Sequence, residues 1–140
     1  MTMATAAAPR EVDATRFAMS GTVPRLAWRP ENANEVADAL KQCVADKLTL
    51  VPWGGGVALA REQAPERYDV ALDLTAMKRV TIYDPEDFTV TAECGITIAD
   101  LREVLAAKQQ ELPLEAAEAS PTSISWHTTC FKTCGRSYAR

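Results

Sequence analysis

Residues 51–56 read VPWGGG and hold three of the six glycines in the 140-residue chain. Such a concentration of backbone freedom fixes where an ordered element ends. Glycine adopts φ > 0 without a side-chain clash and lets another molecule approach the main chain closely. The residues before it are patterned. Asn32 stands three residues ahead of Glu35, the spacing of a capping box. Val36, Leu40, Cys43 and Val44 then recur at i, i+4, i+7 and i+8, which predicts one apolar face of a helix running to about Asp46. Leu48-Thr-Leu-Val51 is a strand candidate ending at Pro52. Helix, short connection, strand and glycine turn together make an α/β unit.

The flanking sequence extends this pattern. Leu26-Ala-Trp28 is a short apolar run that stops before Arg29-Pro30, since the residue ahead of a proline is pushed out of helix. Val70-Ala-Leu-Asp-Leu74 reads as a second strand and Lys78–Tyr83 as a third. Asp84-Pro85-Glu86-Asp87 supplies a turn with proline at its second position. Phe88–Glu93 alternates apolar and polar residues, so it is expected to pair back on residues 79–83. Gly95 breaks that strand. Thr97 caps a helix whose core face is Ile98, Leu101, Val104 and Leu105. Residues 1–19 are expected to form a mobile leader.

Composition narrows the function classes. Hydrophobic residues make up 47 % and charged residues 24 %, a globular mixture, and the net charge of −4 gives no electrostatic footprint for nucleic acid. No apolar run approaches the roughly 20 residues that span a bilayer. Glu11 and Asp13 argue against a transit peptide, so a cytoplasmic location is expected. Cys43, Cys94, Cys130 and Cys134 contain no C-x-x-C pair, and no disulfide framework is expected. His127 with Cys130 and Cys134 offers only three ligands, so no metal site is expected.

Successive backbone N–H groups in a glycine turn can converge on an anion. VPWGGG is therefore either a phosphate cradle or a plain turn in a non-catalytic α/β binding or interaction module. The Walker pattern is excluded, because Val57-Ala58 stands where Lys-Ser/Thr is needed. The dinucleotide fingerprint G-x-G-x-x-G is absent as well.

Four segments in register carry a resemblance: PENANEVADALKQCVAD (30–46), VPWGGGVAL (51–59), VALDLTAMKRVTIY (70–83) and DFTVTAECGITIADLREVLAAKQQELPL (87–114). In this order and spacing they resemble the N-terminal part of the FAD-binding domain of PCMH-type (vanillyl-alcohol oxidase family) flavoproteins. The FAD-binding subunit of glycolate oxidase and related FAD-linked oxidases are the nearest in flavour. The resemblance implies an α/β fold, α+β overall: a small parallel sheet with helices, then the start of an antiparallel sheet, within a two-subdomain domain over residues 20–119. It implies FAD as cofactor and oxidation of a 2-hydroxy acid or related alcohol, with other subunits of an oxidase complex as possible partners. It assigns the FAD diphosphate to Pro52, Trp53, Gly54, Gly55, Gly56, Val57, Ala58 and Leu59, and further FAD contacts to Pro113, Leu114 and Glu115. Gly95 matches the glycine ending the long strand, where it serves as a contact or simply terminates the strand. Trp53 either stacks on adenine or packs on the core. The resemblance names no catalytic residue in this chain.

The chain departs from the family pattern in places. Val57 replaces a usual Thr or Ser, and Glu62 and Gln109 stand where glycine is frequent. Beyond Glu115 the family continues to a Thr-Ile-Gly-Gly motif, whereas this chain has Ser120-Pro-Thr-Ser-Ile-Ser. Residues 1–119 carry 12 basic and 19 acidic side chains, and residues 120–140 carry three basic and none acidic. That abrupt change leads to the expectation that the tail is frameshifted or truncated, and that the chain holds a fragment of the FAD site.

Overall fold

The computed structural model of the chain describes residues 9–56 and 65–112. Its elements in chain order are β1 (Arg10–Glu11), a 3-10 turn (Ala14–Phe17), β2 (Leu26–Arg29), α1 (Ala33–Ala45), β3 (Leu50–Trp53), β4 (Val70–Asp73), β5 (Val80–Asp84), β6 (Thr89–Ala92) and α2 (Ile98–Ala106). A four-stranded sheet runs β1-β2-β4-β3, and β5 pairs with β6 in a second sheet. β2 and β3 both lie parallel to β4, and β1 pairs antiparallel to β2. The central strand β4 is buried along its whole length, as a parallel strand covered on both faces must be.

Alternation along each strand sorts residues onto the two faces. Leu26 and Trp28 of β2, Leu50 of β3, and Val70 and Leu72 of β4 pack with Ala39 and Cys43 of α1. Ala27, Val51, Trp53 and Ala71 pack on the opposite face with Phe17, Met19 and Tyr68. The expectation of a mobile leader over residues 1–19 does not hold for residues 10–19. Arg10–Glu11 is a strand, and Phe17 and Met19 are buried. Burying a side chain of that size is worth roughly 1.5–3 kcal/mol, enough to hold an otherwise patternless segment on the sheet.

The expected face of α1 is half right. Asn32 does cap the helix, accepting from the Glu35 N–H at 3.1 Å, while Glu35 returns a bond to the N–H of Glu31 at 2.8 Å. Cys43 and Val36 of the expected face do pack toward the sheet, but Leu40 is 46 % and Val44 80 % exposed, and Ala39 is buried there instead. Two small side chains let the helix lie close on the sheet, which rolls Leu40 and Val44 outward. In α2, Thr97 caps as expected, and Ile98, Leu101 and Leu105 are buried while Val104 is 37 % exposed.

Pro52 lies within β3 rather than ending it. That strand is at the sheet edge, where a missing N–H breaks no ladder. The antiparallel pair forms as expected, in the register Tyr83↔Val90, with Asp84 Oδ1 accepting from the N–H groups of Glu86 (3.0 Å) and Asp87 (3.2 Å) to close the turn. Ile96, Leu101 and Leu105 form the core beneath this pair with Val80, Tyr83, Val90 and Ala92.

The two sheets meet at Gly95. Its N–H donates to the Met77 carbonyl at 2.8 Å, and a Cβ on it would lie 1.9 Å from the Leu74 oxygen and 2.7 Å from the Met77 oxygen. The glycine is therefore required by the close approach of the chain leaving β4.

Candidate functional site

Strands β2, β3 and β4 are parallel, so their carboxyl ends lie at the same edge of the sheet. Arg29, Trp53 and Asp73 are the last residues of the three strands. Ligands of parallel α/β sheets bind beyond that edge. A cleft of about 490 Å³ opens there, lined by Arg16, Phe17, Ala18, Arg29, Trp53, Gly54, Gly55, Gly56, Asp73 and Thr75.

The glycine turn forms one wall. Gly56 has φ +78°, a conformation strained for any residue with a side chain, and a Cβ on it would come within 3.3 Å of the Trp53 ring. Trp53 is itself fixed. It is 6 % exposed, meets Phe17 edge to face at 5.3 Å and 78°, and donates from Nε1 to the Tyr68 hydroxyl at 2.5 Å. Tyr68 in turn donates to the Phe17 carbonyl at 2.9 Å. Burial pushes the Tyr68 phenol up to about 12, against a smaller opposing pull from the Trp53 bond. The indole is thus committed to the core through one edge while the glycines that follow it border the cleft.

The floor is an ion pair. Asp73 is 2 % exposed, and its Oδ2 accepts from Arg29 Nε and Nη2, each at 2.6 Å. Its Oδ1 accepts from the Thr75 N–H at 3.0 Å and the Thr75 hydroxyl at 2.7 Å. Burying a carboxylate is costly unless donors of this kind satisfy both oxygens. The pair holds its charge inward, so its effect on a ligand is to shape the floor of the cleft.

The structure brings together Trp53, Gly54, Gly55 and Gly56 of the expected site residues. Pro52 is exposed on the edge strand and does not line the cleft. Gly95 is occupied by the carbonyls of Leu74 and Met77. Val57, Ala58 and Leu59, and Pro113, Leu114 and Glu115, lie outside the described residues. So do His127, Cys130 and Cys134, and among the described residues no group of acidic, histidine or cysteine side chains could hold a metal ion. Cys43 is buried, and burial raises its thiol pKa, as it does for the half-buried Cys94.

The sequence reading missed Arg16, Arg29, Asp73 and Thr75. A signal existed for Asp73, a carboxylate closing an otherwise apolar strand two residues before a threonine. Arg16 had none, because its segment shows no period.

The cleft fits a diphosphate-bearing ligand in three respects. It stands at the carboxyl edge of parallel strands, its wall is a turn of three glycines, and a cationic side chain lines it. Residues 24–125 match a family model described as an FAD binding domain. The chain is 28 % identical over 114 residues to the mitochondrial D-lactate dehydrogenase [cytochrome] of Arabidopsis thaliana, covering 81 % of this chain and 20 % of that protein. Its fold superposes on alkyldihydroxyacetonephosphate synthase with a TM-score of 0.67 at 22 % identity, over 78 % of this chain and 23 % of that one. It superposes on p-cresol methylhydroxylase with a TM-score of 0.59 at 23 % identity, over 71 % and 20 % of the two chains. The fold matches the PCMH-type FAD-binding domain, with a small mostly parallel sheet and an antiparallel one. The chain spans about a fifth of the length of the proteins it matches.

Proposed function

The chain belongs to the FAD binding domain family, so its cofactor is FAD, and on that premise we propose that it supplies the diphosphate-binding part of an oxidoreductase acting on a 2-hydroxy acid, such as glycolate or lactate, or on a related alcohol. The observation that carries this reading is the glycine turn at the carboxyl ends of β3 and β4, opening on the 490 Å³ cleft. Gly54, Gly55 and Gly56 let the diphosphate approach the main chain. Val57, Ala58 and Leu59 continue that contact, and Pro113, Leu114 and Glu115 add a second. Pro52 and Trp53 position the turn, one by stiffening the edge strand and the other through its anchor on Tyr68. Gly95 serves the cofactor indirectly, by letting the second sheet close on the first.

When bound, the flavin accepts the hydride removed from the alcohol carbon, and this redox chemistry is the cofactor's own. The residues of this chain bind and orient. The substrate-binding residues and the rest of the cofactor site come from further sequence or from partner subunits of an oxidase complex. Among the described residues no helix is long and apolar enough to cross a membrane. Cell fractionation decides between the cytoplasmic location expected from the sequence and the mitochondrial one in the name of the Arabidopsis protein.

The test is FAD binding by the full chain, followed by flavin fluorescence, with Gly55→Val and Gly56→Val as the perturbations. Both variants should lose FAD, Gly55→Val while keeping the parent's stability and Gly56→Val with a loss of stability from the strained φ of +78°. A chain that binds no FAD, or variants that bind it as the parent does, would leave the turn a connection only. With the remainder of the enzyme present, glycolate and D-lactate should each be tried for bleaching of the bound flavin.

A further inference from the structure

The charged groups lining the cleft are Arg16, Arg29 and Asp73. Arg29 and Asp73 neutralise one another at 2.6 Å. Arg16 is different. It is exposed at the end of the 3-10 turn Ala14–Phe17. Its nearby carboxylate, Asp13, accepts from the Thr15 N–H at 3.0 Å and the Thr15 hydroxyl at 2.7 Å, bonds that outweigh the charge attraction it also has to Arg16. The backbone that carries Arg16 is anchored, because the next residue, Phe17, is 6 % exposed, packs on Trp53, and takes the Tyr68 hydroxyl on its carbonyl. The segment that bears the cation and the glycine turn thereby border the same indole. Arg16 lies ahead of residues 24–125, the span matched by the family model.

We propose that Arg16 is a cofactor-binding residue, whose guanidinium supplies positive charge to the diphosphate held at the glycine turn. A diphosphate carries negative charge that backbone amides meet only as dipoles, and a guanidinium adds a charge-assisted hydrogen bond in a geometry suited to phosphate oxygens. This rests on the reading of the turn as the diphosphate site.

The experiment uses the full chain and three ligands: ADP, FAD and riboflavin, the last carrying the flavin ring but no phosphate. Affinities are measured by calorimetry at ionic strengths of about 0.01 M and 0.15 M, where the Debye length falls from about 30 to 8 Å. Arg16→Gln should weaken ADP and FAD roughly two- to fivefold at low salt, as for an exposed ion pair, and should flatten their salt dependence. Arg16→Lys should restore most of the salt dependence, and riboflavin should respond to neither variant. A merely structural role for Arg16 would instead lower thermal stability and leave the salt slope alone. Arg16→Gln binding ADP with the parent's affinity and salt slope would overturn the assignment while leaving the turn intact. No ADP binding by the parent chain would overturn both.

Discussion

Replacing Gly95 by alanine tests whether this glycine serves the fold or the ligand. The added Cβ falls 1.9 Å from the Leu74 oxygen, 2.7 Å from the Met77 oxygen and 2.8 Å from the Leu74 carbonyl carbon. Carbon and oxygen settle at about 3.3 Å even in a favourable contact, so the chain must open by more than about 1 Å. All the close atoms are backbone, so no side chain can swing aside. Opening stretches the 2.8 Å bond from the Gly95 N–H to Met77 and disturbs the 3.0 Å bond from the Met77 N–H to Leu74. Overpacking of this kind costs about 1–3 kcal/mol, and a buried carbonyl left unpaired costs about 1–3 kcal/mol more. We expect a loss of about 3–5 kcal/mol, a large share of the roughly 5–15 kcal/mol available to a domain. Urea unfolding followed by tryptophan fluorescence reads it, since Trp28 and Trp53 are both buried. A loss below about 1 kcal/mol would refute the steric argument, and a normally folded variant that no longer binds FAD would make Gly95 a direct contact after all.

Four further outcomes are expected. Tyr68→Phe strips a buried donor and acceptor of their partners, Trp53 Nε1 and the Phe17 carbonyl, and should cost about 2–4 kcal/mol in a thermal melt. Because folding raises the Tyr68 pKa from 10.0 to about 12, the folded state keeps a proton that the unfolded state releases, so the parent's stability should decline as pH rises from 10 toward 12 by more than the Phe variant's. Asp69 is held below its ordinary 3.8 first by the Thr49 N–H and then by Arg67 and Arg25, so its contribution is present above that value and lost as pH falls through the lower folded pKa. Asp69→Asn should flatten the acid limb of a stability–pH curve. Gln109, exposed at φ +58°, ends α2 in the left-handed region, where the Gln110 N–H reaches back to Leu105 at 3.1 Å, so Gln109→Gly should raise stability by about 0.5–1 kcal/mol in urea.

Much of the parallel sheet was legible because its signals are local. Val70–Asp73 is apolar enough to be a central strand, and the caps at Asn32 and Thr97 declare themselves by a side-chain oxygen three residues ahead of an acid. The segment over Arg10–Phe17 was not legible. A two-residue strand and a single 3-10 turn have no period to detect; the strand is held by pairing with β2 and the turn by packing of Phe17 in the cluster with Trp53 and Ala71. The rotation of α1 was hidden for a related reason. Leu40 and Val44 satisfy the helical period as well as Ala39 does, and only the closeness of the sheet selects the smaller residues. At the cleft, one wall is contiguous in sequence and was readable as VPWGGG. The floor and the cation come from Arg16, Arg29 and Asp73, three segments that meet only because strands β2 and β4 end side by side.

The hydroxyl of Tyr68, shared between Trp53 and the Phe17 carbonyl, decides where this domain can be cut. The family match begins at residue 24, a natural place to trim for expression or to splice onto another protein. A chain trimmed there would keep the three parallel strands and the whole glycine run but lose β1. It would also bare one side of the indole and leave the tyrosine oxygen with one partner fewer. The boundary of the cofactor module, for anyone grafting it, therefore lies upstream of Phe17.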